Sequence, residues 1–482
     1  MKTMDATLTT PPVVSGAKPL LGHATEYGDK RGELLRRGYE EHGKVFTIKL
    51  GPQNVAVLIG PENQRTFFME TDKALNIATP YKFLRAAFGE VLFIAGHDEY
   101  LRQRPFLTQA FRREKMAHYI TIMGREVQKW LDALGDEGEF EVVETMGWLA
   151  QQIAGSALMG DRFQEVAGRE FWDLYADLSK GIDAMLPPNL PLPKFWRRDR
   201  ARARMGAILK PILDERRAHP EQYDDFLQDF VNSRYGDTDA PIEDEVLMNL
   251  MLGLMFAGHE TTAGQAAWNV ILLLQHPDYL DIVRDEIDRV APAGTPIDGR
   301  TLHALMHMNY AVTEVERLRP SADILLRDVD EDIEAGGYRI PAGWKVQIAS
   351  EVAHQLPELF AAPEQYDPLR FAPERAEEKA DRFALIGFGG GTHKCMGMNF
   401  ANNEIAVIST MLWQQFDLEL VTPRPGIARG TGANRPTPTL IRYRRRPLAP
   451  VGERGELAAA SRGAGERGGR GAGVRRIILP HP

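Results

Sequence analysis

Phe388-Gly389-Gly390-Gly391-Thr392-His393-Lys394-Cys395-Met396-Gly397 contains the only cysteine of the chain. Three glycines precede it. Beyond it, Ile405, Val407, Ile408, Met411 and Leu412 form an apolar stripe at helical spacing. A thiolate just ahead of a helix is stabilised by the helix dipole and by unpaired amides. Glycines let the backbone come close to a large planar ligand. The loop lacks the Gly-Lys-Thr/Ser ending of a P-loop and the spacing of a dinucleotide fingerprint. A buried, inert thiol is the competing reading for a lone cysteine.

Working outward, residues 244–275 read as one long helix, ended by Pro277. At ~1.5 Å per residue it would span ~48 Å, enough to cross a domain. It is apolar on most sides, which predicts a central position. Its middle, Ala257-Gly258-His259-Glu260-Thr261-Thr262, breaks the pattern. Glycine and two threonines are poor mid-helix choices, and a buried glutamate is costly without a partner. Glu260 beside Thr261 suits a proton relay from carboxyl to hydroxyl to bound ligand. A kink with back-bonded threonines is the plainer alternative. Glu314 and Arg317 stand at i, i+3 on another helix, where a surface ion pair is the ordinary explanation.

The composition narrows the class. The 482 residues carry 58 basic and 67 acidic side chains, a formal charge of −9. That balance argues against a nucleic-acid binder. A single cysteine excludes an intramolecular disulfide framework and multi-cysteine zinc or iron–sulfur sites. It fits a reducing, cytoplasmic setting. No apolar run reaches the ~18 residues of a membrane span, and the Thr/Pro-rich start lacks the apolar core of a signal peptide.

The organisation follows from local patterns. Residues 1–22 read as an extended lead-in, residues 23–448 as one domain, and residues 449–482 as a disordered Arg/Gly-rich tail. A helix is expected over about 31–41. Strands are expected at 45–50 and 55–59, separated by Gly51-Pro52-Gln53-Asn54 as a hairpin turn. Residues 98–274 are mostly helical, with a break at 186–193. Strand-like pieces return at 337–340 and 345–349, joined by Pro341-Ala342-Gly343.

Together these residues resemble a cytochrome P450, a haem-thiolate monooxygenase. The family's Phe-x-x-Gly-x-(Arg/His)-x-Cys-x-Gly loop is matched by Phe388, Gly391, His393, Cys395 and Gly397. Ala257 through Thr262 match its (Ala/Gly)-Gly-x-(Asp/Glu)-Thr-(Thr/Ser) helix motif, and Glu314 and Arg317 its Glu-x-x-Arg. Arg370 resembles the partner arginine of that pair. The resemblance implies a mainly α fold, with the long helix over haem and a small β-rich subdomain. It implies haem b held by Cys395 as proximal thiolate, with Gly389 and Ala257 also against the cofactor. His393, Arg104 (four residues after Tyr100), Arg327 and Tyr81 would meet the propionates. Glu260 and Thr261 would deliver protons to dioxygen, and Glu314, Arg317 and Arg370 would be structural.

The finer resemblance is to the sterol 14α-demethylase branch, through Tyr81-Lys82-Phe83, Phe88-Gly89 and Met255-Phe256-Ala257-Gly258-His259. Glu260 stands where that branch usually has His, and Ala87 where it often has Pro. A sterol, a terpenoid or another lipid such as a fatty acid is therefore the expected substrate class. Phe83, Phe88, Phe93, Met255, Phe256, Ile324, Leu325 and Leu326 are the candidate pocket residues, with Asp323 the lone acid beside them. No flavin or iron–sulfur segment is visible, and the family resemblance implies a separate ferredoxin or flavodoxin with its reductase. Arg102, Arg112, Arg113, Lys115 and Lys394 are the candidate basic patch for it. Peroxide-driven or isomerising haem-thiolate enzymes tend to lose the Glu–Thr pair that this chain keeps. A haem sensor would usually carry an output domain, and none is visible.

Overall fold

The computed structural model describes residues 8–92, 94–184, 186–430 and 433–447. The expected disordered tail lies outside the described residues.

The long helix runs Asp244–Gln275, and most of its second half is buried. His276-Pro277 ends it, and the next helix, Pro277–Val290, begins at once with proline in its first turn. Around it pack Val142–Ala154, Met306–Leu318 and Met398–Gln415. Helices Asp161–Lys180 and Pro193–Ala218 pair with each other on one flank. The stretch between them carries the Pro-rich break read from the sequence. Leu250, Ile271, Trp268, Val407 and Leu412 belong to one continuous apolar core.

The β-rich part has its own core, with Phe46, Val57, Ile340 and Ile348 fully buried. Its five-stranded sheet runs Val45–Leu50, Gln53–Leu58, Lys345–Ala349, Ile324–Val329, Leu75–Asn76. The Gln53–Leu58 and Lys345–Ala349 pair is parallel, and the others are antiparallel. The hairpin turn is shorter than the sequence suggests. Leu50 pairs with Gln53, leaving only Gly51-Pro52 between the strands. Gly51 has φ 61°, which a two-residue hairpin turn needs at its first central position. Strands Tyr338–Ile340 and Lys345–Ala349 are joined by a turn but belong to different sheets.

Candidate active site

Cys395 sits between the glycine turn and the helix Met398–Gln415. Gly389 and Gly391 have φ 71° and 65°, backbone that only glycine adopts cheaply. A Cβ on Gly391 would lie 2.9 Å from the Phe68 carbonyl oxygen. The loop is closed by a hydrogen bond from the Cys395 amide to the Phe388 carbonyl, at 2.9 Å. The Sγ lies near the amides of Gly397 and Met398, which favour its thiolate. Burial outweighs them and pushes the thiol pKa up. Yet the residue keeps accessible surface. The thiol is thus enclosed by protein and still open to contact. An inert core cysteine would be closed on all sides.

The long helix is open where it should be most closed. Ala257 and Gly258 are exposed in its middle, and Phe256, His259, Glu260 and Thr261 are partly so. The helix stays continuous there. Thr261 Oγ1 donates to the Ala257 carbonyl at 2.6 Å, and Ser321 Oγ donates to the Thr261 carbonyl at 3.1 Å. Back-bonding is therefore present without a break. Burial raises the Glu260 pKa, and the charge of Arg435 opposes the rise.

Two of the propionate candidates are cations without a carboxylate partner among the described residues. Arg327 is 3% exposed, its guanidinium bonded to Thr71 Oγ1 at 3.2 Å and the Leu326 carbonyl at 2.7 Å. Burial lowers its pKa to about 10. A buried cation without an anion is costly, so an anionic group beside it would be strongly held. Arg104 is exposed. Tyr81 Oη accepts from the Leu326 amide at 3.2 Å, one residue from Arg327. Tyr100 is buried, its hydroxyl donating to the Thr392 carbonyl at 2.6 Å and its ring 4.0 Å from that of His393. His393 has a protein partner as well. Its Nε2 bonds Asp72 at 2.6 Å, and His97 lies 3.2 Å from the same carboxylate. Asp72 has φ 68° in a turn far away in sequence, and no local pattern marks it.

Glu314, Arg317 and Arg370 form a closed unit at 0% side-chain exposure. Arg317 grips both carboxylate oxygens of Glu314, at 2.7 and 2.8 Å, and Arg370 reaches the same group at 3.2 Å. The remaining donors of Arg317 go to the carbonyls of His354, Pro363 and Gln365. This is no surface pair. Two further residues, missed in the sequence, tie the unit to the cysteine loop. His354 bonds the Arg317 carbonyl through Nδ1 and accepts the Ile386 amide at Nε2. Burial lowers its pKa to about 3, so it stays neutral. Glu316 faces the amides of Gly387 and Phe388, and burial raises its pKa to about 7.

The candidate pocket residues divide. Phe83 and Phe256 are partly open, whereas Phe88 and Met255 are packed at 0% and 1% exposure. Phe88 meets Phe256 at 4.7 Å between ring centroids. Ile324, Leu325 and Leu326 are successive strand residues, so they cannot all face one pocket. Leu325 is the one beside the Gly389 turn. Phe93 lies outside the described residues. Asp323 is held from both sides by Arg31 and Arg429, and serves the N-terminal scaffold. Of the basic patch, Arg102 is paired with Glu99 and Asp237, and Lys115 with Asp224 and Asp229. Arg112, Arg113 and Lys394 remain exposed.

The cytochrome P450 family profile matches residues 11–439. The chain belongs to the cytochrome P450 family. Sterol 14α-demethylase of Mycolicibacterium vanbaalenii is 30% identical over 444 residues, 90% of this chain and 98% of that protein. Sterol 14-demethylase of Arabidopsis thaliana is 31% identical over 454 residues, 91% of this chain and 92% of that protein. The retinoic-acid-bound cyanobacterial CYP120A1 superposes with TM-score 0.82 at 25% identity, covering 91% of this chain and all of the other. The protein is thus a haem b-dependent monooxygenase that uses dioxygen, a lipophilic substrate and a redox partner. Among the described residues, no helix is long and apolar enough to cross a membrane. The residues fit the cofactor: one accessible thiol backed by amides, a glycine turn that a side chain would block, and a buried arginine with no carboxylate ion pair among the described residues.

Proposed function

We propose that this P450 oxidises a sterol or a closely similar polycyclic lipid, as a demethylase-like enzyme. End-to-end similarity to bacterial and plant sterol 14-demethylases carries this reading. Partly open Phe83 and Phe256 support an apolar substrate.

Cys395 holds the haem iron as thiolate. Arg327, Arg104, Tyr81, Tyr100 and His393 would hold the propionates, with Arg327 supplying a buried charge for an anion to satisfy. Gly389, Gly391 and Gly397 shape the loop. Bound haem supplies the oxygen-activating chemistry, with thiolate donation favouring O–O cleavage. The chain's own task is to move protons and exclude water. Glu260, its pKa raised by burial, keeps a proton more readily than an exposed glutamate does. Thr261 passes it on through its hydroxyl, which must leave the Ala257 carbonyl to do so. Glu314, Arg317 and Arg370 stay fixed and brace the loop through His354.

Electrons come from a ferredoxin or flavodoxin docking near Arg112, Arg113 and Lys394, and the cytoplasm is the proposed location. The test is turnover: the holoenzyme, a reductase pair and dioxygen with a 14α-methyl sterol. Loss of that methyl group in the product supports the reading. Oxidation of fatty acids with no sterol product overturns it.

A further inference from the structure

Helix Asp161–Lys180 carries Trp172, Tyr175 and Ser179 at i, i+3 and i+7, on one face, and Tyr175 reaches the long helix at His259. Tyr175 is 2% exposed, and its ring meets that of His259 edge-on at 6.0 Å between centroids. Trp172 packs on Tyr175 at 5.7 Å. Trp172 Nε1 and His259 Nδ1 are buried without a hydrogen-bond partner among the described residues, and the buried hydroxyls of Tyr175 and Ser179 have only each other there. Such atoms are rare singly, and here the rings of Trp172, Tyr175 and His259 follow one another in contact, with Ser179 beside the Tyr175 hydroxyl.

Their chemistry is complementary. Trp172 and Tyr175 offer protons, and Ser179 both gives and accepts. His259 Nε2 faces the Gly147 backbone, and burial lowers the ring pKa to about 4, so the ring is neutral. With Nε2–H directed to the Gly147 carbonyl, Nδ1 is a bare acceptor. A set of donors and acceptors around one buried place is what ordered water requires. The next residue along the helix is Glu260, close enough to Tyr175 for its charge to disfavour the phenolate. Arg435, on the strand Asn434–Pro436, acts on Glu260 as well, as the counter-charge to its ionised form.

We propose that Tyr175, Ser179 and His259 hold a chain of buried water through which protons pass from solvent to Glu260. Each hydroxyl or water takes one proton and gives one up, so one proton arrives at the Glu260 carboxyl and no other group changes charge. The assignment rests on the reading of Glu260 and Thr261 as the proton-delivering pair. Tyr175 and Ser179 are positioning residues that fix the water.

A high-resolution crystal structure of the holoenzyme tests the geometry, with ordered water expected at the Tyr175 hydroxyl and His259 Nδ1. A dry contact there overturns the proposal. The Y175F/S179A double variant tests the role. Two readouts apply: the share of consumed electrons recovered in product, and the rate at which the Glu260 carboxyl infrared band of the resting protein shifts on transfer to D2O. Both are expected to fall several-fold, with substrate affinity unchanged. Lost affinity with coupling intact would assign the hydroxyls to the substrate and contradict the proposal. Unchanged coupling in the double variant, with E260Q uncoupled, overturns the water path alone. A fully coupled E260Q removes the underlying reading too.

Discussion

At the scale of single residues, the sequence was most readable where chemistry forces an unusual choice. Cys395 is the only thiol, and the glycines before it break local propensity for a steric reason. C395S is expected to abolish the long-wavelength Soret band of the ferrous carbonmonoxy form, checked by difference spectroscopy. What was not readable is the set of partners. Asp72, His354 and Glu316 act across the fold, and nothing in their own neighbourhoods marks them. Glu316 has a testable pH signature. Its folded pKa of about 7 exceeds the usual glutamate value, so the folded state takes up the extra proton. Its penalty is absent below the unfolded pKa. It grows as pH rises toward about 7 and then levels off. By pKa linkage the full penalty is on the order of 3 kcal/mol. Unfolding free energies of wild type and E316Q, compared from acid to neutral pH, should diverge across that window, with wild type losing stability relative to the variant.

At the scale of elements, the long helix was legible from end to end, because apolar periodicity and Pro277 bound it. The hairpin was legible in kind but not in register. The tight turn at Gly51-Pro52 depends on one positive φ, and the residues beyond it suit turn and strand alike. Tyr338–Ile340 and Lys345–Ala349 also read correctly as strands, but sheet membership is a long-range property. The Glu314–Arg317–Arg370 unit shows the same limit. Spacing put Glu314 and Arg317 on one helix face, whereas burial makes them a brace instead of an exposed pair. Removing one partner strands a buried charge, a cost of about 3–5 kcal/mol. R317L should therefore lower the thermal unfolding temperature sharply and retain little haem, measured by scanning calorimetry and haem content.

At the scale of the molecule, two apolar cores meet around the cysteine loop: one helical, one built on the five-stranded sheet. Charge organises the outside. The chain is acidic overall, yet Arg112, Arg113 and Lys394 are exposed and make no ion pair among the described residues, while Arg102 and Lys115 are neutralised by neighbours. Reversing Arg112 and Lys394 to Glu is expected to slow reduction by ferredoxin and weaken its salt dependence, with substrate affinity unchanged, as read by stopped-flow. R102E, with its cation already spent on Glu99 and Asp237, should do much less. Substrate choice is the property least legible in the sequence, because the candidate pocket residues divide in exposure: Phe88 and Met255 are buried, and Phe83 and Phe256 are partly open. Its most direct test is a titration of the purified ferric protein with a 14α-methyl sterol, followed by a long-chain fatty acid, watching the Soret band. The account predicts a low- to high-spin shift with the sterol. A shift with the fatty acid alone would contradict it.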